Sequence, residues 1–253
     1  MRSKLVVACF VGSICAAGHA ACDSGLAERM HAKLHPKRAL DHELAVCEPW
    51  KALPGRFIVV LPMPQSARES GVTHFDLDVL VVQQADNGNT ERAKIVSRLF
   101  EEDALTEDAI RISEIRADTA RYTLASDMRA FGVRIVYQGS SRANPYSRET
   151  LSLYLPQGQK LARVLDELEM NQERGEWDTN CTGTFETIRS ALSVTRTTSS
   201  GLADLMVRRT RSGTRNLLQG EECLTQERPS TFSSITLHYD GAMYRQPKRP
   251  KRD

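Results

Sequence analysis

Two aspartates at alternate positions, Asp76 and Asp78, interrupt the apolar run FDLDVLVVQQ that starts at Phe75. In an extended strand, positions i and i+2 share a face. Both carboxylates therefore point one way while Phe75, Leu77, Val79 and Val81 point the other. Paired carboxylates are the equipment of glycoside hydrolysis, but Asp and Glu are plentiful in this chain and their types alone do not mark such a centre. His31 and His35 stand four apart, the spacing of a helical metal-binding pair, yet HAKLH lacks the glutamate of HExxH. They read as solvated helix histidines. No GxSxG elbow, SxxK motif or phosphate-cradling glycine loop occurs. The chemistry leans toward binding rather than catalysis.

The ends of the chain indicate where such a protein works. Residues 1–21 carry Arg2 and Lys4, an apolar stretch from Leu5 to Ala17 and small residues around Ala20, the pattern of a secretory signal peptide. The stretch is too short for a spanning helix, and no other segment approaches that length. A lipid anchor at Cys22 is the alternative, disfavoured because the residue three before it is His19 rather than an apolar one. Beyond the leader stand Cys22, Cys47, Cys181 and Cys223, an even count that argues for two disulfides in an oxidising compartment. Closeness along the chain favours Cys22 with Cys47 and Cys181 with Cys223, though sequence does not settle the pairing. Each staple is worth roughly 3 kcal/mol. The 34 basic residues, less Arg2 and Lys4, leave 32 against 32 acidic ones. That balance argues against nucleic-acid binding.

The elements that must position these residues follow from patterning. SGLAERMHAKL has Leu26, Met30 and Leu34 at spacings of four and reads as a helix that Pro36 ends. From Pro54 onward short apolar runs alternate with turns: RFIVVLP, DLDVLVVQQ, RYTLA, AFGVRIVYQ, TLSLYL, TIRSALSVTRT, LADLMVRRT and ITLHYDGAMYRQ. RLFEEDALTEDAI and LARVLDELEM fit helix and strand spacing equally. The chain divides into a signal peptide over 1–21, a disulfide-stapled extension over 22–53, a β-rich domain over 54–246 and a basic, disordered tail over 247–253. DVLVV resembles DLMVR, and TLSLYLPQGQKLARV resembles TLHYDGAMYRQ, suggesting a repeated four-stranded unit. The expected fold is all-β and antiparallel, β-propeller-like with a β-sandwich as the alternative, preceded by a short helical extension.

DLDVLVV and LADLMV are similar to the Asp-Leu-Val-Val core of FG-GAP repeats, propeller blades whose acidic loops bind calcium. The resemblance implies a calcium site at Asp76, Asp78, Asp86, Asn87 and Asn89, provided that the ADNGN turn folds back. The full DxDxDG loop is missing. Without a cation, Asp76 and Asp78 begin a solvated edge strand and DNGN is a hairpin turn.

A broader set of strings runs from CEPWKALPG at Cys47 through DLDVLVV, RAFGVRIVYQGSSRANPYSRETLSLY and GEWDTNC to ITLHYDGAMY. It resembles a small family of exported immunity proteins of Xanthomonas-like bacteria, which inhibit lysozyme-like effectors delivered by type IV secretion. The resemblance implies a periplasmic, non-enzymatic protein of β-propeller-like fold with a calcium site, acting by blocking a peptidoglycan hydrolase. A hydrolase cleft holds a protonated acid and a second carboxylate, so a blocker needs a rigid protruding loop with hydroxyls and an aromatic plug. Two loops qualify. GSSRANPY offers Ser140, Ser141, Arg142 and Tyr146; YDGAMY offers Asp240 and Tyr244 in a Gly-x-x-Tyr arrangement that departs from the usual Ser-Gly-x-x-Tyr. An exported adhesin or carbohydrate-binding module is the alternative function.

Overall fold

The computed structural model describes residues 25–65, 71–84 and 90–246. The expected leader, Cys22, Asp86, Asn87, Asn89 and the tail over 247–253 lie outside the described residues.

Helix α1 (Leu26–Leu34) starts after Gly25, which takes the left-handed φ of 64°. It stops at His35, as a helix must before Pro36. Leu26, Ala27 and Met30 form its buried stripe. They pack on Val59, Leu61, Leu80 and Val82. These belong to β2 (Arg56–Pro64) and β3 (Thr73–Gln83), whose opposite faces supply Ile58, Val60, Phe75, Leu77, Val79 and Val81 to a second core. Strands covered on both sides need continuous apolar runs rather than alternation. That is why RFIVVLP and LDVLVV read as they do.

The remaining strands are β1 (Val46–Pro49), β4 (Lys94–Glu107), β5 (Ile110–Ala125), β6 (Met128–Gly139), β7 (Tyr146–Gln157), β8 (Lys160–Trp177), β9 (Gly183–Ser199), β10 (Leu202–Gln219) and β11 (Glu222–Leu237). Eight of them run in the order β1-β2-β3-β4-β8-β7-β6-β5 as a nearly closed barrel-like sheet. All neighbours are antiparallel except β4 and β8, joined in parallel through Arg98 and Lys160. Inside lies an aromatic stack: Trp50 meets Phe131 edge-on at 5.2 Å, and Phe131 stacks on Tyr154 at 5.7 Å. The extension expected over 22–53 thus contributes β1 and Trp50 to the barrel itself.

The all-β class with a short N-terminal helix holds. Its architecture is one continuous branched sheet, however, not the radial blades of a propeller or two facing sheets. The branch springs from β8, whose end, Asn171 to Trp177, pairs with β9 while Lys160 to Arg174 pair with β7. β9 pairs with β10 and β10 with β11, giving a three-stranded arm. Its root packs on the barrel through Leu205, Val207 and Leu237 against Leu151, Leu153, Val164 and Leu168. Farther out both faces meet solvent, and Phe232 on β11 is 78 % exposed. The segments ambiguous between helix and strand are strand, within β4 and β8, because both sit in long hairpins whose ladder bonds outweigh local preference.

Cys181, in the β8–β9 turn, is bonded to Cys223 at the start of β11, with Cα atoms 5.7 Å apart. One expected staple is therefore present, and it clamps the tip of the arm. Cys47 is also disulfide-bonded. Among the described residues no helix is long and apolar enough to cross a membrane.

Candidate functional site

The GSSRANPY segment is the β6–β7 connection, and it is braced. Gly175 and Trp177 of β8 donate their backbone N–H groups to the carbonyls of Pro145 (2.9 Å) and Ala143 (3.0 Å), so the loop continues the β7–β8 ladder. The Trp177 indole N–H donates to the Arg142 carbonyl at 2.7 Å, and Ser141 Oγ accepts the Asn144 N–H at 3.0 Å. Ser140, Ser141 and Arg142 nonetheless remain exposed, and Tyr146 is half-buried. A loop with its backbone fixed and its side chains free is preorganised for contact.

Register places Tyr146 in a longer array. Residues directly opposite on neighbouring strands share a face. Tyr146 faces Arg174, Arg174 faces Glu186, Glu186 faces Gly213 and Gly213 faces Arg228. One row thus crosses from β7 to β11. Glu186 sits at its middle, taking hydrogen bonds from Arg174 at 2.9 Å and Arg211 at 2.7 Å. Burial alone would push its carboxyl up; the two guanidinium groups outweigh that and hold it below the usual range. On the other face Phe185 lies over Gly175, where any Cβ would stand 2.5 Å from its ring, and Trp177 approaches at 6.0 Å between centroids. A hollow of ≈ 420 Å³ reaches Phe185 of this pair and is lined also by Ser141, Pro145 and Tyr146.

Asp76 and Asp78 share one face of β3 as expected, with Leu80 and Val82 rather than the barrel-interior residues. They are not solvated: exposure is 1 % and 0 %. Asp78 accepts hydrogen bonds from Arg98 Nε at 2.9 Å and from His35 Nε2 at 2.7 Å. Asp76 accepts from Arg38, from Gln65 at 2.8 Å and from the Asp103 N–H at 2.9 Å. Burial opposes ionisation of Asp76, but these bonds and the Arg38 charge prevail and lower its pKa. The edge-strand reading and the solvated reading of His35 are both corrected here: the carboxylates lock α1 and the segment after it onto the sheet. Among the described residues His31 Nε2 is buried without a hydrogen-bond partner, and burial followed by the charges of His35 and His42 lowers its pKa. Calcium at Asp76 and Asp78 requires Arg38 and Arg98 to move aside. Asp78 is five positions from the Gln83 end of β3, about 17 Å of strand. Asp86, Asn87 and Asn89 follow that end in the sequence, outside the described residues. Among the described residues no group of three His, Cys, Asp or Glu side chains is arranged to hold a metal.

The YDGAMY loop is a different case from the first. Tyr244 is 2 % exposed and donates its hydroxyl to the Ala203 carbonyl at 2.6 Å. It is core, and offers a partner no surface. The Asp240 carboxylate accepts the backbone N–H groups of Met243 and Ala242, both at 2.9 Å, which with Arg245 bring its pKa down to about 2. That turn closes on itself. Arg174, Glu186 and Arg228 stand in no motif of the sequence, and Arg211 has only the basic run VRRTRSGTRN around it. Comparison with protein-family models, with curated proteins and with solved structures finds no match to this chain.

Proposed function

We propose that the chain is an exported, periplasmic immunity protein that inhibits a lysozyme-like peptidoglycan hydrolase by occluding its cleft, without chemistry of its own. The observation that carries this reading is the Ser140–Tyr146 loop. It exposes hydroxyls and a guanidinium beside a half-buried aromatic ring while three hydrogen bonds from Gly175 and Trp177 hold its backbone. A rigid loop loses little conformational entropy on insertion. The Cys181–Cys223 disulfide supports an oxidising compartment. Calcium is the alternative occupant of Asp76 and Asp78, in place of Arg38 and Arg98, and is tested below.

The test is titration of the mature chain into any lysozyme-like hydrolase encoded beside it. Stoichiometric protein should stop cell-wall lysis, and the chain alone should leave peptidoglycan intact. Tyr146→Ala and Arg142→Ala should relieve inhibition with melting unchanged, by about 2 kcal/mol of binding if they are hot spots. Full lysis at molar excess sinks the reading. The ring pair of Trp177 and Phe185 beside the hollow favours a second reading, a carbohydrate-binding module, since sugars stack on such surfaces. Retention on insoluble peptidoglycan without inhibition would establish it.

A further inference from the structure

The face of the arm that continues from Tyr146 is strongly basic. Arg209, Arg211 and Arg215 alternate along β10; Arg228 stands opposite Gly213 on β11 and Arg174 opposite Glu186 on β8. The acids on this face are Glu176, Glu186 and, at the start of β11, Glu222; Glu186 already binds Arg174 and Arg211. Arg215 and Arg228 are different: both are exposed, and neither makes an ion pair or side-chain hydrogen bond among the described residues. They are diagonal neighbours, since Arg215 pairs with Gln226 and Gly213 with Arg228. Beside Arg228 the missing side chain of Gly213 leaves a recess of ≈ 330 Å³ lined by Arg211, Arg228, Thr231 and the already paired Glu186, with Arg215 just outside it, two positions along β10.

We infer that this face docks an acidic protein surface, with Arg215 and Arg228 receiving carboxylate side chains of the inhibited hydrolase at the Gly213 recess. The inference rests on the proposed inhibition and names where the enzyme's second contact falls. Guanidinium groups bind carboxylates in paired hydrogen bonds. Two unpaired ones beside an open recess are the complement of such a surface. Geometry agrees: Tyr146 and Arg228 lie four strand spacings apart on one face, about 19 Å. A partner patch of roughly 800 Å², about 32 Å across, covers both when centred between them. Docking falls on the face rather than the edge, because Pro229 and the bulge beside it interrupt the β11 edge where another strand would add.

The test uses calorimetry of the mature chain with the same hydrolase at 50 and 200 mM salt, values chosen to bracket physiological screening at about 150 mM. Arg215→Glu with Arg228→Glu should weaken binding by roughly tenfold or more and flatten the salt dependence, with melting unchanged. Arg215→Lys with Arg228→Lys, which keeps the charge, should retain most of the salt dependence. Tyr146→Ala should weaken binding while leaving its salt dependence as in the wild type. If the wild type binds and inhibits but the Glu variant does so equally at both salts, the docking face is wrong and the inhibitory reading survives. If the wild type does not bind the hydrolase, both fall. Arg228-dependent binding to phosphatidylglycerol vesicles or duplex DNA that exceeds binding to the enzyme also overturns the acidic-protein partner.

Discussion

The indole N–H of Trp177 donates to the backbone carbonyl of Arg142 at 2.7 Å, so the strand from which the arm branches also holds the crest of the β6–β7 loop. Trp177→Phe keeps a ring beside Phe185 and removes the donor. A hydrogen bond of this kind contributes about 1 kcal/mol. Amide exchange at Ser140, Ser141 and Arg142 should accelerate about fivefold, and inhibition should weaken with little change in melting. Unchanged exchange would show that the backbone bonds to Ala143 and Pro145 suffice without the indole.

Reduction tests the arm's clamp. Cys181 and Cys223 are 42 positions apart, and on the chain-entropy account closing such a loop stabilises by about 4 kcal/mol. Cys181→Ala with Cys223→Ala should lower global stability by up to that amount in a denaturant titration. Protease nicking should appear first near the Gln219–Glu222 turn. Equal midpoints for both proteins would mean that the arm's ladder bonds alone hold its tip.

Acid should unfold the protein through particular carboxylates. Asp118 accepts hydrogen bonds from Arg134 at 2.7 Å and Tyr122 at 2.8 Å; burial works against its ionisation, but these bonds and that of the Ala120 N–H lower its pKa. Asp76 and Glu186 are lowered likewise. A carboxyl whose folded value lies below its unfolded value stabilises above the unfolded value, near 4, and that contribution disappears as pH falls through the folded value. Melting temperature should therefore hold from neutrality to about pH 5 and drop below about pH 4. Asp118→Asn should make the drop shallower. A variant with the wild-type acid profile would remove Asp118 from the account.

The buried pair on β3 gives a further prediction. Asp78→Asn deprives Arg98 and His35 of their counter-charge and should cost about 3 kcal/mol. With Arg38 and Arg98 in place, chelator should leave wild-type melting unaltered. A calcium-dependent rise in melting that Asp78→Asn abolishes would instead put a cation among these carboxylates.

Much of this was legible in the chain. Leu26, Met30 and Pro36 outlined the helix, the Asp76/Asp78 alternation assigned one face of β3, and most hairpins announced themselves by apolar runs and turns. What was hidden depends on distant pairing. LTQERPSTFSS reads as a polar loop because both faces of β11 are wet, so no apolar period marks it. The neighbours of Asp78 come from α1's end and from β4, and nothing near Asp78 names them. The row from Tyr146 to Arg228 exists only through four successive registers. Local spacing carries no trace of it.

Because Asn171 to Arg174 of β8 pair with β7 and with β9 at once, barrel and arm are joined by a shared strand rather than a linker. A protein tugging on Arg228 loads the β10–β9 and β9–β8 ladders sideways, and those ladders pass the strain into β7 and the braced loop. The arm acts as a stiff lever whose fulcrum is built into the wall it stands on. Two contacts made about 19 Å apart therefore keep a fixed separation, as the two jaws of a caliper do.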